Sequence, residues 1–224
     1  SEVYGQPQVH PQPETYFGNV NTFGLRSCYD EGKRVAETIL FEHHHLYQTQ
    51  VRIARIFNTY GPGMHPYDGR VISNFINQAL HNQDLTLYGD GSQTRSFQFI
   101  SDLVQGLIKL MQLKETETSH FPVNLGNPIE VSIAEVANII KSLIPQSSSS
   151  IIHKPPVSDD PTTRQPDIQR AKEILNWQPS VELTQGLQAT IKYFDSLNLE
   201  EYRKFPGKPA FISTKDGNDL RYLS

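Results

Sequence analysis

Apolar residues return at helical spacing after residue 27. Val35, Ala36, Ile39, Leu40 and Leu46 predict a helix from about Ser27 to Gln48. Val51 to Phe57 is β-branched and closes on the turn Asn58-Thr59-Tyr60-Gly61-Pro62, which predicts a strand. Val71, Phe75, Ile76, Ala79 and Leu80 share one face of a predicted helix over 71–82. A short strand follows at Leu85–Tyr88, then Gly89-Asp90-Gly91, read as a hairpin turn, then an alternating strand over Arg95–Ile100. Ser101 stands where a helix cap belongs, ahead of Leu103, Val104, Leu107, Ile108, Leu110 and Met111. Phe121–Leu125 reads as a strand, and Ser132-Ile133-Ala134-Glu135 as a capping box opening a helix to about Leu143. Ser147–Ser150 reads as a surface turn and Ile151–His153 as an edge strand. Asp167 is placed as the cap of a helix through Leu175, and Leu183–Leu197 as the last amphipathic helix.

Helix followed by apolar strand implies α/β architecture with a parallel sheet. In such sheets ligands gather at the carboxyl ends of the strands, where Asn58 falls. Residues 1–26 are rich in Pro, Gln, Gly and Asn; a loop that long is usually functional or disordered. Ser1-Glu2-Val3-Tyr4-Gly5 reads as a strand end entering a loop. With no initiator methionine, the chain is expected to be a fragment, a processed form or a truncated gene product.

Composition narrows the functional classes. At 224 residues the chain can bury a sizeable core. Its net charge is −4 and no basic run offers a nucleic-acid footprint. The single cysteine, Cys28, cannot form a disulfide framework or a cysteine-rich zinc site. No apolar stretch is long enough to span a membrane, and no signal-peptide pattern opens the residues given. The compartment stays open.

Candidate chemistry centres on Tyr29 and Lys33. They lie four residues apart, on one helix face. Free tyrosine titrates near ~10, and an ammonium one turn away favours the phenolate, so the pair can act as a base on a hydroxyl. By itself the spacing also fits a surface tyrosine beside a solvated lysine. Arg95 opens a strand after a glycine turn, where a guanidinium can hold a phosphate or simply form a surface ion pair. Arg164 sits in a loop bounded by Pro161 and Pro166, and on composition alone reads as solvated. His43-His44-His45 point in different directions from a helix, which suits a solvated face better than a metal. Gly89-Asp90-Gly91 lacks a third glycine and a following helix, so it is no dinucleotide turn.

In combination these pieces resemble the extended short-chain dehydrogenase/reductase family, and within it the UDP-glucuronate decarboxylases (UDP-xylose synthases). The residues that carry this are Ser-Glu-Val-Tyr-Gly at 1–5, Cys-Tyr-Asp-Glu-Gly-Lys-Arg at 28–34 and Arg-Ile-Phe-Asn-Thr-Tyr-Gly-Pro at 55–62. Asp-Gly-Arg-Val-Ile-Ser-Asn-Phe at 68–75, Gly-Ser-Gln-Thr-Arg-Ser-Phe at 91–97 and Asn-Leu-Gly-Asn-Pro at 124–128 continue the series. Asp-Asp-Pro at 159–161 and Arg-Gln-Pro-Asp-Ile at 164–168 complete it.

The resemblance implies the C-terminal part of a Rossmann-like doubly wound parallel sheet with a smaller α/β substrate-binding lobe. That partial domain is expected over 1–196, with a flexible extension over 197–224. The family's glycine-rich cofactor-binding half would precede residue 1, so little turnover is expected of this chain alone. The resemblance implies NAD as cofactor, held in part by Tyr29, Lys33, Asn58 and Thr59. It implies UDP-glucuronate as substrate, met by Asn58, Arg70, Val71, Tyr88, Arg95 and Arg164. Tyr29 would take the proton from the sugar O4, Lys33 would grip the nicotinamide ribose, Ser1 and Glu2 would be the active-site pair after the strand, and Arg164 would meet the sugar carboxylate. A 4-keto intermediate would lose CO2 and return to UDP-xylose as the cofactor is recycled. A homodimer through the Tyr29–Lys33 helix is implied too, and a Golgi location if the source is an animal, otherwise the cytoplasm. Gly63 departs from the arginine usual after Gly-Pro. The alternatives are a nucleotide-sugar 4,6-dehydratase or 4-epimerase, or a non-catalytic paralogue that binds UDP-sugar or dimerises with full-length subunits.

Overall fold

The computed structural model describes residues 1–116, 119–156 and 163–197. The predicted extension over 197–224 lies almost wholly outside them, as does Asp-Asp-Pro at 159–161. In chain order the elements are α1 (Ser27–Tyr47), β1 (Ala54–Ile56), β2 (Thr59–Tyr60), α2 (Val71–Leu80), β3 (Leu85–Tyr88), β4 (Thr94–Ser96), β5 (Gln98–Phe99) and α3 (Ile100–Met111). They continue with β6 (Val123–Leu125), β7 (Glu130–Ser132), α4 (Ile133–Leu143), β8 (Ile151–Lys154), α5 (Gln169–Leu175) and α6 (Leu183–Asp195). The chain divides into two compact units. Among the described residues the first comprises 1–59, 93–131 and 163–181, and the second comprises 60–92, 132–156 and 182–197.

In the first unit β1 and β6 run parallel, with Ala54 opposite Val123 and Ile56 opposite Leu125. Val123 and Leu125 pack with Leu103 and Leu110 of α3, Ala171 and Leu175 of α5, and with Ile168 and Trp177. Asp102 ties α3 to the segment after α5. Its carboxylate accepts from Ser180 Oγ at 3.0 Å and Val181 N at 3.1 Å, and its backbone carbonyl accepts from Trp177 Nε1 at 3.0 Å. Paired this way, a buried carboxylate is a stabilising tether; unpaired it would be costly.

In the second unit β3 and β8 are parallel, with Leu85 opposite Ile151 and Tyr88 opposite Lys154. The buried stripe of α2 (Ile72, Phe75, Ile76, Ala79) meets those of α4 (Val136, Ala137, Ile140) and α6 (Leu187, Phe194). The capping box forms as predicted: Ser132 Oγ accepts from Glu135 N, and Glu135 accepts from Ser132 N at 2.9 Å. The serine run is tied down, with Ser147 Oγ donating to Ala79 O at 2.7 Å.

Several predicted boundaries shift. The strand expected over 51–57 is laddered only over Ala54–Ile56, because its partner β6 is itself only the three residues Val123–Leu125. The strand expected over 95–100 breaks at Phe97, since β4 pairs with β7 whereas β5 pairs with β2. Gly89-Asp90-Gly91 is not a hairpin turn: β3 and β4 belong to different sheets. Ser101 is not a cap, because the extended backbone of Phe99 feeds straight into α3 at Ile100. Asp167 lies one residue before the observed cap Ile168, although its Oδ1 does accept from Gln169 N at 2.8 Å.

Gly91 has φ +79°, and a Cβ there would fall 2.3 Å from Leu87 Cδ2 and 3.0 Å from Ala134 Cβ. Left-handed backbone and overpacking both oppose a side chain. Gly91→Ala is therefore expected to destabilise the second unit by about 1–3 kcal/mol, read as a lowered urea midpoint at unchanged m-value.

Candidate active site

The chain begins with a 3-10 turn, Glu2–Tyr4, packed against α1. Gly5 ends it at φ +57°, and a Cβ there would lie 2.1 Å from Asn19 O. The backbone then zips to the loop that leads into α1: Gln6 N donates to Asn19 O at 2.9 Å and Asn19 N to Tyr4 O at 3.0 Å. Only glycine fits that approach, which explains the glycine that closes Ser-Glu-Val-Tyr-Gly.

Glu2 is buried between two arginines. Arg26 Nη2 donates to its Oε2 at 2.5 Å, and Arg164 Nη1 to its Oε1 at 3.1 Å. Arg164 is only 4% exposed; it also bonds Ser1 Oγ at 3.1 Å and Gly5 O at 2.8 Å, while its Nε is buried without a hydrogen-bond partner. The solvated reading of Arg164 is thus overturned, and the structure brings Ser1, Glu2 and Arg164 together. Burial alone would raise the Glu2 carboxyl, but the two guanidiniums outweigh it and hold the group at about 2.

Tyr29 sits on the first turn of α1, 45% exposed, with Lys33 Nζ over its ring at 5.5 Å from the centroid. The next residue, Asp30, turns inward against Glu2. Arg34 reaches back to Val3 O at 3.1 Å and Phe17 O at 2.5 Å, fastening α1 to the chain start. Arg55 of β1 grips Glu37 of α1 through both carboxylate oxygens, at 2.8 and 2.7 Å. Arg26, Asp30, Arg34, Glu37 and Arg55 escape the residue-by-residue reading. Their one sequence signal is spacing: Arg26, Asp30, Arg34 and Glu37 recur every three or four positions on the Tyr29–Lys33 helix.

At the carboxyl end of β1, Asn58 O accepts from Gln98 N at 2.9 Å, while Asn58 Nδ2 is buried with no partner. A buried donor left unmatched in the protein is a natural contact for a ligand. The Thr59 hydroxyl is bonded to Phe57 O at 2.9 Å and Gln98 Nε2 at 3.0 Å. Arg95 is buried, not a surface ion-pair residue, and its Nη1 donates to Thr94 O at 2.8 Å. Arg70, Val71 and Tyr88 belong to the second unit. Arg70 precedes α2 and pairs loosely with Asp68 at 3.7 Å, Val71 opens α2, and Tyr88 ends β3. Of the three histidines, His44 stacks on His120 at 4.1 Å and His43 tilts against Tyr47 at 5.5 Å. Among the described residues no cluster of three metal-ligating side chains occurs.

Comparison with known proteins places this arrangement. The family model described as GDP-mannose 4,6 dehydratase matches residues 1–190. The chain belongs to the extended short-chain dehydrogenase/reductase family. Within that family it is 55% identical over 194 residues to UDP-glucuronic acid decarboxylase 2 of Arabidopsis thaliana, covering 87% of this chain and 42% of that protein. It is 52% identical over 218 residues to UDP-glucuronic acid decarboxylase 1 of Danio rerio, covering 97% and 51%. The chain thus spans about half the length of the curated relatives it matches. Among solved structures, an epimerase of Methanothermobacter thermautotrophicus superposes with a TM-score of 0.81 at 32% identity, over 91% of this chain and 59% of that one. A UDP-glucuronic acid 4-epimerase of Bacillus cereus, solved with UDP-glucuronic acid and NAD, gives 0.76 at 26%, over 87% and 59%. The expected Rossmann-like architecture of the family is therefore the one observed.

The site's charges have a pH signature. Glu2 is depressed, so its contribution to stability is full above about 4.5 and is lost as pH falls towards about 2. Asp30 is raised to about 6, so its contribution is full below about 4 and is lost as pH rises through about 6. Together they favour the fold most near pH ~4. Glu2→Gln is expected to flatten the acid limb below 4.5, measured as the urea midpoint from pH 2 to 7.

Proposed function

We propose that this chain supplies the catalytic helix and sugar-binding part of a UDP-glucuronate decarboxylase, which forms UDP-xylose and CO2. The observation that carries this reading is Arg164. It is buried, locked to Glu2 beside the first turn of α1, and keeps a buried Nε with no partner. A sugar carboxylate needs a fixed cation, and an unmatched guanidinium N–H suits it. Identities of 50–55% with proteins named UDP-glucuronic acid decarboxylase support the same reading.

In this proposal Tyr29 accepts the proton of the sugar O4 hydroxyl, helped by the neighbouring Lys33 ammonium. The chemistry a bound NAD+ supplies is removal and return of the C4 hydride. Oxidation at C4 puts the C5 carboxylate β to a ketone. The C5–carboxyl bond can then break with its electron pair flowing to the ketone oxygen, and CO2 leaves. A proton from solvent adds at C5 and re-forms the ketone. As the hydride is returned to C4, the Tyr29 hydroxyl gives its proton back to O4, yielding UDP-xylose. Arg164 holds the carboxylate in place, and Glu2, fixed by Arg26 and Arg164, keeps that guanidinium aimed. Ser1 completes the grip on Arg164. Lys33 and Asn58 fit a nicotinamide-ribose grip, the one through its exposed ammonium and the other through its unmatched Nδ2. The Thr59 hydroxyl, already bonded twice, serves by holding Gln98 under the site. Arg95 is assigned to the diphosphate, and Arg70, Val71 and Tyr88 to the nucleotide.

The test is incubation of the chain, and of the longest product of its gene, with UDP-glucuronate and NAD+. UDP-xylose and CO2 are expected from the longer product, and little turnover from the 224 residues, whose sequence contains no glycine-rich dinucleotide turn. Tyr29→Phe should lower the rate about 10²–10⁴-fold. Formation of a 4-epimer without CO2 would favour the epimerase reading instead.

We further propose that α1 mediates a homodimer. Val35, Ile39 and Leu46 stand exposed along it, Ile39 at 52% and Leu46 at 62%. An apolar helix face left open to water commonly marks an interface. Ile39→Glu is expected to shift the sedimentation coefficient from dimer to monomer; an unchanged monomer in both proteins would remove this assignment.

A further inference from the structure

Glu2 lies on the opening 3-10 turn and Asp30 on the first turn of α1, two elements that pack together, and both residues are buried. Asp30 is 7% exposed, its Oδ1 has no hydrogen-bond partner, and its carboxyl interacts with that of Glu2. Two interacting buried carboxyls repel when both are charged, and a proton held by one of them relieves this. The charged groups around the pair are Arg26, just before α1, and Arg164, before α5. The Ser1 nitrogen turns away to Ile56 O at 2.7 Å, and Arg34 is directed to backbone carbonyls and, at 3.6 Å, to Glu31.

We propose that Asp30 is a positioning residue of this site: it shares one proton with Glu2 between Arg26 and Arg164, and that proton sets the charge met by an anionic sugar carboxylate. With the proton in place, the guanidiniums outnumber the carboxylates by one. Without it, the charges of the four groups cancel. The site's attraction for an anion is therefore greater in the protonated state, although Asp30 itself touches only Glu2. Burial first, and then the Glu2 charge, push the Asp30 carboxyl up to about 6 against the pull of both arginines, so the change falls within a physiological range. No side chain of the Tyr29–Lys33 pair is needed for this, so the device is separate from the proton transfer at O4. The consequence for ligand affinity rests on the decarboxylase reading; the shared proton does not.

The experiment has two arms on the 224-residue chain. Carboxyl-carbon NMR follows Asp30 from pH 3 to 8 in the unaltered protein and in Glu2→Gln. Calorimetry measures binding of UDP-glucuronate and UDP-glucose from pH 5 to 8, in the unaltered protein and in Asp30→Asn, whose fold is checked by circular dichroism. The expected results are an Asp30 midpoint near 6 that falls towards the ordinary aspartate range in Glu2→Gln, and about tenfold weaker UDP-glucuronate binding as pH rises through that midpoint. Asp30→Asn should bind UDP-glucuronate tightly at every pH, and UDP-glucose should show no pH dependence in either protein. An Asp30 midpoint near 4, a midpoint that Glu2→Gln leaves unmoved, or a flat UDP-glucuronate profile in the unaltered protein would overturn the proposal. If Asp30 titrates as expected but UDP-glucuronate binds at no pH, the shared proton is supported and the nucleotide-sugar reading is the one that fails.

Discussion

The first unit depends on one buried polar clasp. Asn124, in the middle of β6, is fully buried, and its side chain is matched on both ends. Its Oδ1 accepts from Tyr4 Oη at 2.7 Å, and its Nδ2 donates to Gln12 O and Asp167 O, each at 2.9 Å. Its backbone N donates to Glu14 Oε1 at 2.8 Å. Tyr4 passes the connection on: Arg55 Nη1 donates to its Oη at 3.0 Å, the guanidinium lies 4.9 Å from its ring centroid, and Arg55 holds Glu37 of α1. One amide therefore joins the chain start, the long loop, β6 and the segment before α5, and through Tyr4 and Arg55 it reaches α1. A network of this kind is directional. Each group has one geometry in which all partners are satisfied, and losing one partner leaves the others buried and unmatched.

That directionality matters because the ends it joins carry the residues proposed for the chemistry. The Glu2–Tyr4 turn holds Glu2 and presents Tyr4 to the clasp, so the same three residues set both the packing and the carboxylate. The loop carrying Arg164 is fixed by Gln12, whose backbone and side chain bond Gln165 at both its O and N, each at 2.9 Å. Arg164 thus cannot leave Glu2 without disturbing the fold around Gln12. The long Pro- and Gly-rich loop, which composition alone leaves functional or disordered, is ordered because its polar groups are matched to buried partners from distant parts of the chain.

The sequence is most legible where the physics is local. The capping box at Ser132, the face of α2 and the α1 helix all follow from spacing within a few residues. The pairing of strands does not, because it depends on neighbours far along the chain. Arg95–Ile100 alternates as one strand should, yet its two halves pair with different partners. The candidate site divides the same way. Tyr29 and Lys33 are visible as an i, i+4 pair, whereas the burial of Arg164 against Glu2 spans 162 positions and leaves no mark in local composition. The resemblance to the decarboxylases names both residues but not the carboxyl of Asp30 or the guanidinium of Arg26 that complete their surroundings.

The helix at the centre of the site is held in an unusual balance. Over 21 residues α1 buries a single side chain, that of Asp30, while Val35, Ile39, Phe41 and Leu46 remain exposed. Most helices are fixed by an apolar stripe, which tolerates small rotations because hydrophobic contact is non-directional. Here Arg26, Asp30, Arg34 and Glu37 bind the inner face through hydrogen bonds and ion pairs, and these define the rotation of the helix about its axis. Tyr29 lies one residue from Asp30, about 100° around the helix. A rotation that moved the tyrosine would have to break the Asp30–Glu2 contact first. The polar inner face and the open apolar outer face thus divide the tasks: the first fixes the angle at which Tyr29 is offered, and the second leaves room for a partner surface without disturbing that angle.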